Sequence, residues 1–446
     1  MTLLTTPPGT KDVLPTEAAE LRLIEDAVRA VFAEFGYGEV WTPTLEFEEV
    51  LALSGEKAFQ TGFRMLDEHG QVLILRPDLT APIARLVGSR LRGGVPPHRV
   101  FSISTIFRRL SSHRDRETEY RQAGIELLGS PLPHADAEVV AVACRALERA
   151  GLCGYRVGVG QISFFAGLLR ALDLDHDLQQ RLTRDAVAKD LVNYRLVVEG
   201  ADFLAPADRG ALLEVPDLRG GPDVLDRAAA FVRSADMESA LEHLRSMHEA
   251  LVAYGYGDRL FFDLGIFRNL EYYTGSVFEL YAPGLGFTLG GGGRYDNLLA
   301  RFGAPMPAVG FGLGLDRLHA ALVDQAADLA TSDQTVILVG GLDRHVAIAD
   351  RLREACVGVF ALAHDVPAAS AAALARQKEI DLIVAPVAGR EGLQWIVSDL
   401  GSGGDDLVST EELVARVTRV TLDREAAGPE PAAAPVRGVS GDEATV

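Results

Sequence analysis

The chain has 446 residues, 48% of them hydrophobic and 24% charged, with a formal net charge of −20. That length and balance predict a globular protein of two or three domains with a large core. The acidity repels phosphate backbones and leaves any nucleic-acid contact to a local basic groove. Three cysteines without a CxxC pair exclude a disulfide framework and point to reduced thiols in the cytoplasm.

From the start, Pro7 to Asp12 reads as a loop, with no basic segment before an apolar stretch, so no signal peptide is expected. Thr16 caps a predicted amphipathic helix over Glu17–Phe35, which Gly36 and Gly38 stop. Strands are predicted at Glu39–Pro43, Val72–Arg76 and Val100–Phe107, a helix at Ala135–Ala150 and a strand at Tyr155–Val159. From about 164 to 257 the pattern turns to charged, Leu- and Ala-rich helices, a helical insertion. Strands resume at Leu260–Leu264, Gly275–Tyr281 and Phe287–Leu289, and a helix over Leu313–Asp324 closes a first domain of residues 1–325. An alternating β/α pattern over 333–420 predicts a small α/β domain, and Ala, Pro and Gly from 421 to 446 predict a disordered tail. No apolar run approaches the ~20 residues of a membrane span. The histidines show no ligand spacing, so neither a metal nor a cofactor is expected.

Three segments carry chemistry. Gly286 to Asp296 holds four consecutive glycines, Gly290 to Gly293, without the Lys-Ser/Thr of a phosphate loop or the strand–helix context of a dinucleotide fingerprint. It reads either as a strand bulge or as a ligand wall. Arg268 to Gly275 places an arginine, a bidentate donor, four residues before the pair Tyr272–Tyr273. If that pair lies in a strand, at most one tyrosine is fully in the core. Phe107 to Glu126 reads as strand, charged hairpin, strand. There Gln122 and Glu126 share strand parity and one face, against the alternative of a solvated hairpin tip.

In order along the chain, these segments resemble the histidyl-tRNA synthetase family of class II synthetases, over roughly Pro8 to Leu318 and more weakly to about Arg416. Phe35 to Pro43 with Leu45–Glu46 looks like motif 1, the dimer-forming element. Phe107 to Glu126 looks like motif 2, Arg268–Gly275 and Gly292–Asp296 like the histidine-specific motifs, and Gly310 to Leu318 like motif 3. The resemblance implies an α+β fold: an antiparallel class II sheet with a helical insertion, followed by a shortened anticodon-binding-like α/β domain. It places Asp78, Thr80, Gln122 and Glu126 where the family holds the amino group and imidazole of histidine. Tyr272 and Tyr273 fall where the imidazole pocket closes, Arg268 where the substrate carboxylate is faced, and Arg108 and Arg317 where ATP phosphates are gripped. A zwitterion with an imidazole needs such a mixed lining.

Departures from a working synthetase accompany the resemblance. Leu110 stands where motif 2 carries an acid that helps place adenine, and leucine accepts no hydrogen bond. Arg76-Pro77-Asp78-Leu79-Thr80 has Asp-Leu where synthetases have Glu-Gly. From Asp333 onward ten Lys/Arg face eighteen Asp/Glu, a net of −8, which argues against tRNA. The pattern resembles the regulatory-subunit paralogues of ATP phosphoribosyltransferase. That likeness implies a noncatalytic chain with a short-form catalytic subunit as partner, histidine as effector and self-association through motif 1. A divergent histidyl-tRNA synthetase, favoured by Arg108, Arg268 and Arg317, and an amino-acid sensor for another partner are the competing readings.

Overall fold

The computed structural model describes residues 4–55, 62–109, 117–172, 174–267, 272–327, 329, 335–340, 342–355, 357–362, 366–378, 380–389 and 392–419. Contacts divide these into two units, with the boundary between Leu329 and Ala330. The tail expected over 421–446 lies outside the described residues.

The first unit opens with α1 (Pro15–Glu34), β1 (Gly38–Glu39), β2 (Leu45–Phe47), α2 (Glu48–Leu53), β3 (Arg64–Leu66), β4 (Val72–Leu75) and α3 (Thr80–Leu86). There follow β5 (His98–Phe107), β6 (Glu119–Leu128), α4 (Pro133–Arg149) and β7 (Arg156–Gln161). Helices α5 (Ile162–Ala171), α6 (His176–Val187), α7 (Leu191–Glu199) and α8 (Pro206–Glu214) come next, then β8 (Arg219–Gly220), α9 (Asp223–Ala229) and α10 (Ala235–Ala253). The unit closes with β9 (Leu260–Asp263), β10 (Ser276–Tyr281), β11 (Thr288–Arg294), α11 (Leu298–Arg301), β12 (Ala308–Gly314) and α12 (Leu315–Asp324).

A nine-stranded sheet in the order β1-β5-β6-β12-β11-β10-β7-β9-β8 forms the centre. All its pairings are antiparallel except β1 with β5 and β7 with β9. One face carries the main core. Val28 and Phe32 of α1, Val140 and Leu147 of α4, Phe164 and Leu168 of α5, and Leu244 and Leu251 of α10 are all buried there against Ile125, Phe278 and Phe311 of the sheet. The helices between β7 and β9 therefore share the sheet's core, and β8 extends its edge. The opposite face is thinly covered by α3 and α11 through Ile83, Leu298 and Leu299. That thin cover leaves a cavity above the middle strands.

Two local expectations change. The cap of α1 is Leu14 rather than Thr16, and no side chain caps it, because Pro15 occupies the first turn with its φ already helical. Gly36 then ends the turn at φ +78°, a left-handed conformation that glycine adopts without cost. The Glu39–Pro43 strand shrinks to Gly38–Glu39, and Leu45–Phe47 pairs instead with β4 in a separate three-stranded sheet, β2-β4-β3. Near that small sheet apolar side chains face outward: Trp41 is 81% exposed, and Leu45, Phe47 and Leu66 are exposed too.

The second unit comprises β13 (Thr335–Leu338), α13 (Leu342–Glu354), β14 (Gly358–Ala361), α14 (Ala368–Gln377), β15 (Leu382–Gly389), β16 (Gly392–Asp399) and β17 (Gly404–Ser409). Its sheet runs β14-β13-β15-β16-β17, parallel in the first three strands and antiparallel beyond. Trp395 is fully buried at its centre, and its indole N–H donates to Thr410 Oγ1 at 3.0 Å.

Candidate functional site

A cavity of about 460 Å³ opens on the thinly covered face of the first sheet. Its floor is made by β6, β11 and β12, with Gln122, Glu126, Gly290, Gly291, Gly310 and Gly312 among the lining residues. Asp78, Thr80 and Arg108 enter from the segments flanking α3 and β5, and Tyr272, Tyr273, Tyr295 and Arg317 complete the wall. Every site residue expected from sequence lines this one cavity except Arg268, which lies outside the described residues, as do Leu110 and the motif 2 loop Ser111 to Arg116.

Strand parity accounts for the floor. Gln122 and Glu126 are four residues apart on β6 and reach the same cavity, and Tyr120, two residues earlier, joins them. The glycine run resolves both of its readings at once. It is strand β11, its register against β10 shifts between Leu280 and Tyr281, and Gly290 and Gly291 line the cavity. The parity argument for Tyr272 and Tyr273 does not apply, because the strand starts only at Ser276. Both rings reach the cavity, perpendicular to each other with centroids 4.9 Å apart, and Tyr272 stacks on Tyr295 at 5.2 Å.

The polar groups are held by local bonds. Asp78 Oδ1 accepts the Ala81 N–H at 2.9 Å at the start of α3. Burial pushes the Asp78 carboxyl up, against the pull of that backbone bond and of Arg108. Arg108 Nε donates to the Pro77 carbonyl at 2.7 Å. The Arg317 guanidinium donates to the Thr288 carbonyl at 2.9 Å and lies 5.8 Å and 5.7 Å from the ring centroids of Tyr120 and Phe287. The Tyr295 hydroxyl donates to Glu126, and burial together with that carboxylate pushes the phenol far above its ordinary range. Two carboxylates and two guanidiniums thus share one aromatic-walled cavity, a lining suited to a small zwitterion.

Sequence reasoning did not single out Tyr295 or Tyr120. Tyr120 was recoverable from its parity with Gln122. Tyr295 directly follows Arg294, the last residue of β11, and its ring lines the cavity while the Arg294 side chain reaches Asp136 of α4.

Beneath the sheet, Arg294 is 4% exposed and Asp136 of α4 1%. Arg294 Nε lies 3.2 Å from each Asp136 oxygen, and its other nitrogens reach Asp136, the Ser130 carbonyl at 3.0 Å and Asp296 at 3.1 Å. Ser276 donates to Asp136, and His243 of α10 stands 3.3 Å from it. Burial acts to raise the Asp136 carboxyl, but His243 and Arg294 outweigh it and hold it below the usual carboxylate range. Gly275 presses on this pair, since a Cβ there would meet Arg294 Cδ at 3.0 Å. The buried pair therefore fixes the end of the tyrosine wall. Among the described residues no cluster of three or more His, Cys, Asp and Glu could hold a metal ion, and no helix is long and apolar enough to cross a membrane.

This fold is that of the class II synthetase group, and the profile of histidyl-tRNA synthetases matches residues 9–318. The histidyl-tRNA synthetase of Nostoc sp. PCC 7120 superposes with a TM-score of 0.79 at 21% identity, over 94% of this chain and all of that one, a likeness of fold. A protein of Bacillus halodurans described as an ATP phosphoribosyltransferase regulatory subunit/histidyl-tRNA synthetase superposes with a TM-score of 0.76. It is 33% identical, over 84% of this chain and 97% of its own. The ATP phosphoribosyltransferase regulatory subunit of Desulforamulus reducens is 40% identical over 71% of this chain and 78% of its own length. That of Rubrobacter xylanophilus is 36% identical over 92% and 97%. The chain belongs to the family of ATP phosphoribosyltransferase regulatory subunits, within the histidyl-tRNA synthetase-like fold.

Proposed function

We propose that this chain is a noncatalytic subunit that assembles with a short-form ATP phosphoribosyltransferase. In that assembly it is needed for the first step of histidine biosynthesis and makes the step sensitive to histidine. The observation that carries the reading is the similarity to regulatory subunits along nearly the whole chain, 92% of it in one case. The cavity supports histidine as the effector: Asp78, Thr80, Gln122 and Glu126 offer acceptors to the ammonium and imidazole beside Tyr272 and Tyr273, and Arg268 is the proposed partner of the carboxylate. Arg108 and Arg317 are remnants of an ATP site.

For feedback, histidine has to bind one state of the assembly better than another, and the coupling is reciprocal. The outward-facing Trp41, Leu45, Phe47 and Leu66 support self-association through the motif 1 region. The net −8 from Asp333 onward supports a chain that does not handle tRNA, and the cytoplasm is its proposed location. A domain division at 1–325, 333–420 and 421–446 goes with this reading.

The test is co-purification with the cognate catalytic subunit, followed by phosphoribosyl transfer with and without histidine. Activity that needs this chain and falls with histidine is the expected result; a catalytic subunit indifferent to the chain refutes it. A divergent synthetase is the second reading, favoured by Arg108 and Arg317 sharing the cavity. ATP–pyrophosphate exchange driven by histidine would establish it.

A further inference from the structure

The floor of the cavity is unusually bare. Gly310 lies directly across β6 from Glu126, and Gly312 across from Gly124, all on the face that lines the cavity. A Cβ on Gly310 would overlap the Glu126 carboxylate at Oε2 and also crowd the Ile125 backbone carbonyl, and one on Gly312 would overlap the Gln122 amide at Nε2. The side chains of Glu126 and Gln122 therefore fold flat over β12, in space that only glycine leaves open. In that pose Glu126 takes the Tyr295 hydroxyl, while Gln122 Oε1 is buried and accepts no hydrogen bond. A buried acceptor without a donor carries a desolvation cost that a ligand N–H would remove.

We infer that Gly310 and Gly312 are positioning residues, which set this cavity to take ligands rich in N–H donors by leaving Glu126 and Gln122 room to lie flat over β12. The inference deepens the reading of the cavity as a histidine site and rests on it for the choice of ligand. Any side chain on Gly310 has to lift Glu126 off β12, which breaks the bond to Tyr295 and turns the carboxylate away from the floor. A side chain on Gly312 displaces Gln122 in the same way.

Calorimetric titration of the full-length chain with L-histidine reads the effect. Gly310→Ala is expected to weaken binding about tenfold or more, the scale of a lost hydrogen bond to a charged group. Adding Glu126→Asp to Gly310→Ala is expected to recover the part of that loss that Glu126 causes, because an acid one methylene shorter returns its share of the space, while the crowding of the Ile125 carbonyl stays in both variants. Damage to folding would not be recovered by shortening Glu126. Equal binding by Gly310→Ala and the unaltered chain, or a double variant no better than the single, overturns the inference.

If the unaltered chain takes up no histidine, the choice of ligand fails and the inference is read from Tyr295 instead. The ¹³Cζ resonance of Tyr295, assigned by its loss in Tyr295→Phe, reports the bond to Glu126. It should move in Gly310→Ala and return toward its original position in the double variant. An unmoved resonance overturns the inference.

Discussion

Replacing Asp136 with alanine leaves the Arg294 guanidinium at 4% exposure with Asp296 as its remaining acid and no carboxylate on the α4 side. It also strips Ser276 of its acceptor and removes the carboxylate that stands 3.3 Å from His243. Water cannot reach the guanidinium and the partly exposed Asp296 offsets only part of its charge, so the cost is on the scale of breaking a buried pair, about 3–5 kcal/mol. At roughly 2–4 °C per kcal/mol the first unit should melt on the order of ten degrees lower. Circular dichroism at 222 nm follows the transition, and hydrogen exchange in β11 assigns it to this unit. Replacing the pair together, Asp136→Leu with Arg294→Met, should recover most of the loss, since an apolar substitute for a buried ion pair is often neutral or better. A single variant that melts within about a degree of the original, below the shift expected for 1 kcal/mol, refutes the reasoning. So does a double variant as unstable as the single. The pH dependence has a definite sign. Asp136 is held below its unfolded range, so its contribution is complete above about pH 4 and is lost as pH falls through the depressed folded value.

Asp78 has the opposite sign, its folded pKa being raised, so it costs stability as pH rises through the carboxylate range; Asp78→Asn should raise the melting temperature of the unliganded chain at neutral pH while abolishing histidine binding by calorimetry. Tyr295→Phe keeps the ring stacked on Tyr272 but removes the donor to Glu126, so histidine affinity should change about tenfold with little change in fold, read by the same titration. Trp41→Asp together with Leu66→Lys should lower the mass measured by light scattering to that of one chain, if the exposed patch is the self-association surface.

How much of this was legible in the sequence depends on how local each signal is. Strand parity placed Gln122 and Glu126 on one face because period two is a property of the backbone itself. Parity misled at Tyr272 and Tyr273, where the chain is not yet a strand. Nothing local marks Arg294 as the partner of Asp136: the two are 158 positions apart and meet only once β11 and α4 pack. The glycine run could be read as bulge or wall but not as both, since the bulge depends on the register with β10. The missing cap at Thr16 is a competition between neighbours, in which Pro15 starts the helix two residues earlier.

The two tryptophans divide themselves between the two units, Trp41 at 81% exposure in the first and Trp395 sealed in the second. Each unit thereby has one intrinsic fluorophore of a different colour, a red-emitting indole in water and a blue-emitting one in an apolar core. Unfolding of the second unit shifts the blue component alone. Burial of the motif 1 surface against another chain shifts the red component alone. Assembly and domain melting can thus be followed in one cuvette without any label.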